Sequence, residues 1–171
     1  MKAILLAGGL GTRLRSVINN KPKPMVFISG KPFLDYLVRY LTSQGVRDVI
    51  FCIGYLGKVV QDYFGDGRKH GIRATYSAEK KLMGTSGAVK LASKQIVDSN
   101  FYVLNGDSFL GVDLRKMADF HRKKDSLVTI ALRAVENAGR FGAVKINKMG
   151  QITAFREKKH FGPGMVNGGV Y

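Results

Sequence analysis

The chain has 171 residues, 45% of them hydrophobic, and 28 Lys and Arg against 12 Asp and Glu give a formal net charge of +16. That length and apolar content suit one domain with a sizeable core and exclude a disordered chain. No apolar run approaches the roughly 18 to 20 residues that cross a bilayer, so no membrane insertion is expected, and the charge favours polyanionic ligands.

Lys2 to Ala7 is a short apolar run stopped by Gly8-Gly9. It is too short for the apolar region of a signal peptide and reads as the first buried strand. Pro32 to Ser43 sets Phe33, Leu34, Leu37, Val38 and Leu41 on one helical face, with Gly45 as the stop. Val49 to Ile53 is the next strand, and Lys58 to Phe64 a short helix closed by Gly65-Asp66-Gly67. Ile72 to Tyr76 is a third strand, and Thr85 to Ile96 a helix with Ala88, Val89, Ala92 and Ile96 inward. Phe101 to Leu104 is a fourth strand, followed by a helix over Leu114 to Lys124 with a basic outer face. From Leu127 the pattern changes to strands and turns: Leu127 to Arg133, Gly142 to Ile146 and Gln151 to Phe155, the last two split by Lys148-Met149-Gly150.

Alternating strands and helices predict an α/β fold, Rossmann-like and doubly wound, with a mostly parallel sheet and added antiparallel strands. Ligands of such sheets bind beyond the carboxyl ends of the strands, near the reversal of strand order. The single cysteine, Cys52, lies inside a strand. It rules out an internal disulfide, fits a reducing cytoplasm, and reads as a buried structural thiol rather than a nucleophile. Basic residues are scattered in small groups: Lys21 and Lys23, Arg68-Lys69-His70, Lys80-Lys81, His121 to Lys124, and Arg156 with Lys158-Lys159. A nucleic-acid module concentrates its charge and adds stacking aromatics, so no nucleic-acid partner is expected. His70, His121 and His160 read as exposed loop or helix residues, and no Ser-His-Asp or Cys-His set is visible.

The strongest chemical signal is Leu6-Ala7-Gly8-Gly9-Leu10-Gly11-Thr12-Arg13, directly after the first strand. Glycines let the backbone turn sharply and bring its N–H groups close to phosphate oxygens. Thr12 adds a hydroxyl donor and Arg13 a forked cation. A Walker A loop is excluded for want of a Gly-Lys-Ser/Thr end, and the dinucleotide fingerprint because Leu14 stands where a small residue must open the helix. In Lys21-Pro22-Lys23-Pro24-Met25 the prolines fix an extended presentation of Lys23. Asn105-Gly106-Asp107-Ser108 places a carboxylate just past the fourth strand, where Mg2+ bridging to substrate phosphates is expected.

Together these pieces resemble the sugar-1-phosphate nucleotidyltransferases, the NDP-sugar pyrophosphorylases. The matching stretches are LAGGLGTRL (6–14), PKPM (22–25), GKPFLDY (30–36), MGTSGA (83–88), NGDS (105–108), FREK (155–158) and NGGVY (167–171). They occur in the family's order and cover nearly the whole chain. LRSVINNKPKPM and NGGVY are most similar to the heptose-1-phosphate guanylyltransferase branch, with mannose-1-phosphate guanylyltransferases and glucose-1-phosphate thymidylyltransferases close behind.

The resemblance implies the nucleotide-diphospho-sugar transferase fold, an NTP and a sugar 1-phosphate as substrates, and Mg2+ as cofactor. Leu6, Ala7, Gly8, Gly9, Gly11, Thr12 and Arg13 would hold the triphosphate, with Arg13 on the departing pyrophosphate and Lys23 beside the α-phosphorus. Glu79 and Gly84 would meet the base, a carboxylate there suiting a guanine N1–H and amino group. Asp107 would bind Mg2+, and Asn105 would join the sugar-phosphate side. Glu157 would hold sugar hydroxyls, Lys158 the sugar phosphate, Asn167 and Gly168 the ring, and Gly142 the pocket edge next to Phe141. A sugar phosphate oxygen is already an anion and needs no general base; it needs alignment and relief of charge repulsion. At ~4 Å and an effective dielectric of ~20 each charge pair is worth ~4 kcal/mol, so Arg13, Lys23, Lys158 and Mg2+ suffice without a covalent intermediate.

The family commonly has Pro-Leu-Gly where this chain has Leu82-Met83-Gly84, a departure in the base loop. Family members also continue past NGGVY to a second metal-binding aspartate, whereas this chain stops at Tyr171. One nucleotidyltransferase domain over residues 1–171, lacking its C-terminal part, is therefore expected, and a homo-oligomer is compatible with it.

Overall fold

Ala3, Ile4 and Leu5 are fully buried, which accounts for an apolar first strand with no alternation. A computed structural model describes residues 1–9, 21–79, 81, 83–156, 158 and 162–171. The chain divides into two compact units, Met1–Phe109 and Leu110–Tyr171.

In the first unit the elements are β1 (Ala3–Leu6), β2 (Phe27–Ile28), β3 (Lys31–Pro32), α1 (Phe33–Ser43), β4 (Asp48–Ile53), α2 (Gly57–Phe64), β5 (Arg73–Ala78), α3 (Gly84–Ser93) and β6 (Tyr102–Asn105). The main sheet has the order β5-β4-β1-β6, and all its pairings are parallel. Two connections run outward from β1 and the third returns to its other side. Right-handed crossovers then put α1 and α2 on one face and α3 on the other, as the doubly wound reading requires. Strand order reverses between β1 and β6, so the binding crevice falls at the carboxyl ends of those two strands.

The helix expected over Thr85 to Ile96 is α3, shorter at its end, with Lys94–Ile96 finishing as turns on Ala92 and Ser93 carbonyls. The third strand starts at Arg73 because the Ile72 N–H is held by the Gly67 carbonyl. Helix α1 buries Leu34, Leu37, Val38 and Leu41 as its spacing requires, each worth roughly 1.5–3 kcal/mol. It also buries Asp35, 2% exposed, whose carboxylate accepts from Arg39 Nε at 2.7 Å and pairs with His70 Nδ1 at 2.9 Å. Burial pushes the Asp35 carboxyl up, but the Arg39 and His70 hydrogen bonds outweigh it and hold it below its ordinary value. His70 is thus not the exposed loop residue expected: its ring is 17% exposed, with Nε2 at 3.2 Å from the Tyr63 carbonyl.

In the second unit, α4 (Leu114–Lys123) precedes β7 (Leu132–Val135), β8 (Ala143–Ile146), β9 (Ile152–Arg156) and β10 (Gly164–Asn167). These strands form an antiparallel sheet in the order β7-β10-β8-β9. Asp113 caps α4 by accepting from the Lys116 N–H at 3.0 Å, and Leu114, Met117 and Ala118 are buried. The strand expected at Leu127 to Arg133 is found at Leu132–Val135. β10 pairs with Leu132 to Val135, and before them Ala131 continues the pairing, its N–H on the Val170 carbonyl and its carbonyl accepting from the Gly168 N–H, while Leu127 and Val128 stay exposed. His121, also expected to be exposed, is part-buried with Nδ1 at 2.9 Å from Thr129 Oγ1; His160 lies outside the described residues. Among the described residues no helix is long and apolar enough to cross a membrane.

Candidate functional site

The parallel register fixes the floor of the crevice. Leu6, last in β1, stands between Cys52 of β4 and Asn105 of β6. Past Leu6 the chain remains tied down: the Ala7 N–H donates to the Cys52 carbonyl and the Gly106 N–H to the Leu6 carbonyl, both at 2.9 Å. A Cβ on Gly106 would clash with that same Leu6 carbonyl oxygen, so only glycine lets the end of β6 close on β1. Gly8 is held as closely from the other side, since a Cβ on Gly54 would lie 2.9 Å from the Gly8 carbonyl oxygen. Gly9 is exposed with open space around its Cα, and Gly11, Thr12 and Arg13 lie outside the described residues.

Sequence reasoning passed over Gly54 and assigned Gly106 no role. For Gly54 the signal was the one that exposed Gly8: a glycine immediately after an apolar strand. Its contact with Gly8 becomes visible only once β4 is known to lie beside β1.

Lys23 reaches the crevice from a short 3-10 turn, Lys23–Met25, closed by Met25 N–H on the Pro22 carbonyl at 2.8 Å. Pro22, Pro24 and Met25 are buried, so the backbone on either side of Lys23 is anchored. Its ammonium donates to Asp107 Oδ2 at 2.6 Å, with the two side chains 39% and 44% exposed. A cation and an anion 84 positions apart in sequence thus meet in an open, solvated place. Next to Asp107, Ser108 Oγ is buried with no hydrogen-bond partner among the described residues.

Glu79 follows the end of β5, its N–H on the Ile53 carbonyl at 2.9 Å. Its Oε2 accepts from the Met83 N–H at 2.9 Å, and Oε1 lies 3.1 Å from where a Cβ on Gly8 would stand. Gly84 opens α3 at φ +67°, a left-handed conformation that suits glycine, and is exposed. Leu6, Ala7, Gly8, Glu79, Asn105, Lys23 and Asp107 are therefore brought together at the carboxyl ends of the parallel strands, with Gly84 following Met83. Cys52, one strand away, is buried; burial and the Glu79 charge push its thiol up to about 12, as a structural cysteine requires.

Of the expected sugar-side residues, Asn105 ends β6 in the first unit and the others belong to the second. Carrying the antiparallel register on from Met165 opposite Val144 sets Asn167 across from Gly142. Arg156 pairs with Ala143 at that same end of the sheet, and exposed Lys158 lies two residues on. Glu157 lies outside the described residues. The Asn167 side chain is engaged locally: Oδ1 accepts from the Gly169 N–H and Nδ2 donates to Tyr171 Oη, both at 2.9 Å. Gly168 is packed so tightly on Leu110 that a Cβ would clash with its side chain.

No group of three or more His, Cys, Asp or Glu able to hold a metal occurs among the described residues. One half-exposed carboxylate at a strand end does not suit a metal held by protein alone. It does suit a Mg2+ ion that takes its other oxygens from substrate phosphates and water.

The Nucleotidyl transferase family matches this chain over residues 2–171. The chain is 44% identical over its full length to 74% of a D-glycero-alpha-D-manno-heptose 1-phosphate guanylyltransferase of Aneurinibacillus thermoaerophilus. It is 41% identical, again over its full length, to 75% of a protein of the same name from Campylobacter jejuni. Among solved structures, HddC from Yersinia pseudotuberculosis complexed with GMP-PN matches 99% of this chain and 74% of its own, with a TM-score of 0.88 and 37% identity. The ordered motifs, the doubly wound sheet and these likenesses agree: the chain belongs to the nucleotidyl transferase family.

Proposed function

We propose that this chain transfers the guanylyl group of GTP to a heptose 1-phosphate, giving a nucleoside diphosphate sugar and pyrophosphate. The observation that supports it most is the Lys23–Asp107 pair, set on anchored backbone at the crevice where the Gly8 turn leaves β1. The choice of guanine and heptose is supported by the two full-length relatives, both named heptose 1-phosphate guanylyltransferases.

In the reaction a phosphate oxygen of the sugar 1-phosphate forms a bond to the α-phosphorus of the nucleotide. The bond from that phosphorus to the β-phosphate oxygen breaks, and pyrophosphate leaves with the electron pair. The nucleophile is already ionised, so no base is required and the work is alignment and charge neutralisation. Backbone N–H groups of the Gly8 turn suit triphosphate oxygens. The Lys23 ammonium suits the α-phosphate, where charge is gathered from two polyanions, and Arg13 suits the departing pyrophosphate. Asp107 would hold Mg2+, which supplies charge neutralisation on the phosphates when bound. Lys158, Asn167, Gly168, Glu157 and Gly142 are proposed for the sugar phosphate and ring.

The test is pyrophosphate release with Mg2+, using GTP, dTTP, CTP and UTP in turn against heptose-, mannose- and glucose-1-phosphate. Release dependent on GTP and heptose 1-phosphate is expected. Equal or faster release with another pair would move the chain to that specificity, and silence from folded protein would refute the transfer reading.

A further inference from the structure

Where β4 ends, main chain lies directly on main chain. A Cβ on Gly54 would stand 2.9 Å from the Gly8 carbonyl oxygen and 3.5 Å from the Gly8 Cα. From the other side, a Cβ on Gly8 would stand 3.2 Å from the Gly54 nitrogen and 3.3 Å from the Ile53 carbonyl carbon. Ordinary contact with a Cβ begins at 3.4 Å, so one methyl on Gly54 must drive the two backbones apart by about half an ångström.

The connection after Gly54 keeps side chains out of this contact. The Gly54 carbonyl accepts from the Gly57 N–H at 2.9 Å, which closes a tight turn. Leu56 takes a left-handed conformation inside it, at φ +56°, a strain that persists only where the surroundings impose it. Gly57 then opens α2 pressed on β4, where a Cβ would lie 2.9 Å from the Ile53 Cβ. The chain thus leaves β4 in a single turn, and only the backbone of Gly54 faces Gly8.

We propose that Gly54 is a positioning residue for the nucleotide: with no side chain, it lets the Gly8 turn settle on the end of β4, and that seat sets where the N–H groups of the turn meet triphosphate oxygens. This rests on the nucleotidyltransferase reading and deepens it. Lys23 is anchored separately, between buried Pro22 and Pro24. A displaced Gly8 turn therefore leaves Lys23 behind, and the two no longer address the phosphates at one spacing.

Two alanines of equal bulk separate this role from packing alone. Gly54→Ala intrudes on Gly8, whereas Gly57→Ala intrudes as far on the Ile53 side chain. With Mg2+ present and sugar phosphate absent, Gly54→Ala should bind GTP about 10-fold more weakly, and Gly57→Ala within about 3-fold of wild type. In turnover the KM for GTP should rise in Gly54→Ala, while the KM for the sugar phosphate stays within about 2-fold. In nucleotide-free protein the amide resonances of Gly8 and Gly9 should move in Gly54→Ala and hold in Gly57→Ala. Wild-type GTP affinity in Gly54→Ala, or an equal loss in both variants, would overturn the proposal. So would Gly8 and Gly9 resonances that stay in place in Gly54→Ala. Should Gly54→Ala fail to fold, Gly8→Ala loads the same contact from the other side: weaker GTP binding supports the seat, and unchanged binding overturns it. If wild-type protein transfers no nucleotidyl group, that reading falls, while the resonances still judge the seat.

Discussion

The two units hold their candidate residues by different means. In the first, Gly8, Asn105 and Gly106 are fixed by main-chain contacts between buried parallel strands, and Lys23 stands between buried prolines. In the second, Asn167 is held by two side-chain bonds within its own turn, on a half-exposed antiparallel sheet. Backbone packed against backbone cannot relax, whereas a side chain in a surface turn can. Chemistry that depends on sub-ångström placement suits the first setting, and the sugar recognition proposed for the second tolerates a looser one.

The largest effect is expected from Lys23→Ala in the first unit. Turnover should fall by roughly 10² or more, because the ammonium is proposed to act where charge gathers in the transition state. Stability should barely move, since an exposed ion pair is worth about 0–1 kcal/mol. Kinetics beside a thermal melt checks both, and near-wild-type turnover would remove Lys23 from the mechanism.

Gly106→Ala should come next. Its methyl meets the Leu6 carbonyl where the end of β6 closes on β1, and overpacking of this kind costs about 1–3 kcal/mol. A denaturant midpoint measures that cost, and a fall of about 10-fold in kcat/KM is expected as the Asp107 turn shifts. A midpoint equal to wild type would mean that the strand ends are not held as rigidly as their contacts imply.

Both predictions depend on contacts that sequence pattern reaches unevenly. Helix α1 was legible because five apolar residues at helical spacing leave only one face to bury. The strands β1, β4 and β6 were legible because each apolar run ends at a glycine or a polar turn. Leu127 to Arg133 misled because an apolar run signals strand whether or not a partner pairs along its whole length. The Lys23–Asp107 pair was legible as two separate candidates, but their meeting depends on strand order. Asp35 was hidden in the apolar face of α1 because its burial depends on His70, 35 positions away.

Asp35 yields a smaller, pH-dependent test of the first unit. Its folded-state carboxyl lies below the ordinary value of 3.8, so the unfolded chain takes up the proton more readily. The stabilisation is therefore complete above that ordinary value and is lost as pH falls through the folded one. Asp35→Asn should cost about 1–3 kcal/mol at pH 7, with the gap from wild type closing in acid. Denaturant titrations at several pH values measure it, and a gap independent of pH would remove the carboxylate as its cause.

The smallest effect is expected in the second unit. Asn167→Ala frees the Gly169 N–H and Tyr171 hydroxyl and should raise KM for the sugar phosphate about 3- to 10-fold, with the KM for GTP unchanged. Steady-state kinetics with each substrate varied in turn would show it. A fall in kcat as large as that of Lys23→Ala would erase the contrast between the units.

Transfer of the α-phosphoryl group with its nucleoside is measured directly by following the α-phosphorus. GTP labelled at that atom is incubated with the protein, Mg2+ and heptose 1-phosphate, and the products are separated. The label is expected in a nucleoside diphosphate sugar, with an equal amount of unlabelled pyrophosphate. Label recovered in GDP or GMP, with no sugar attached, would contradict it.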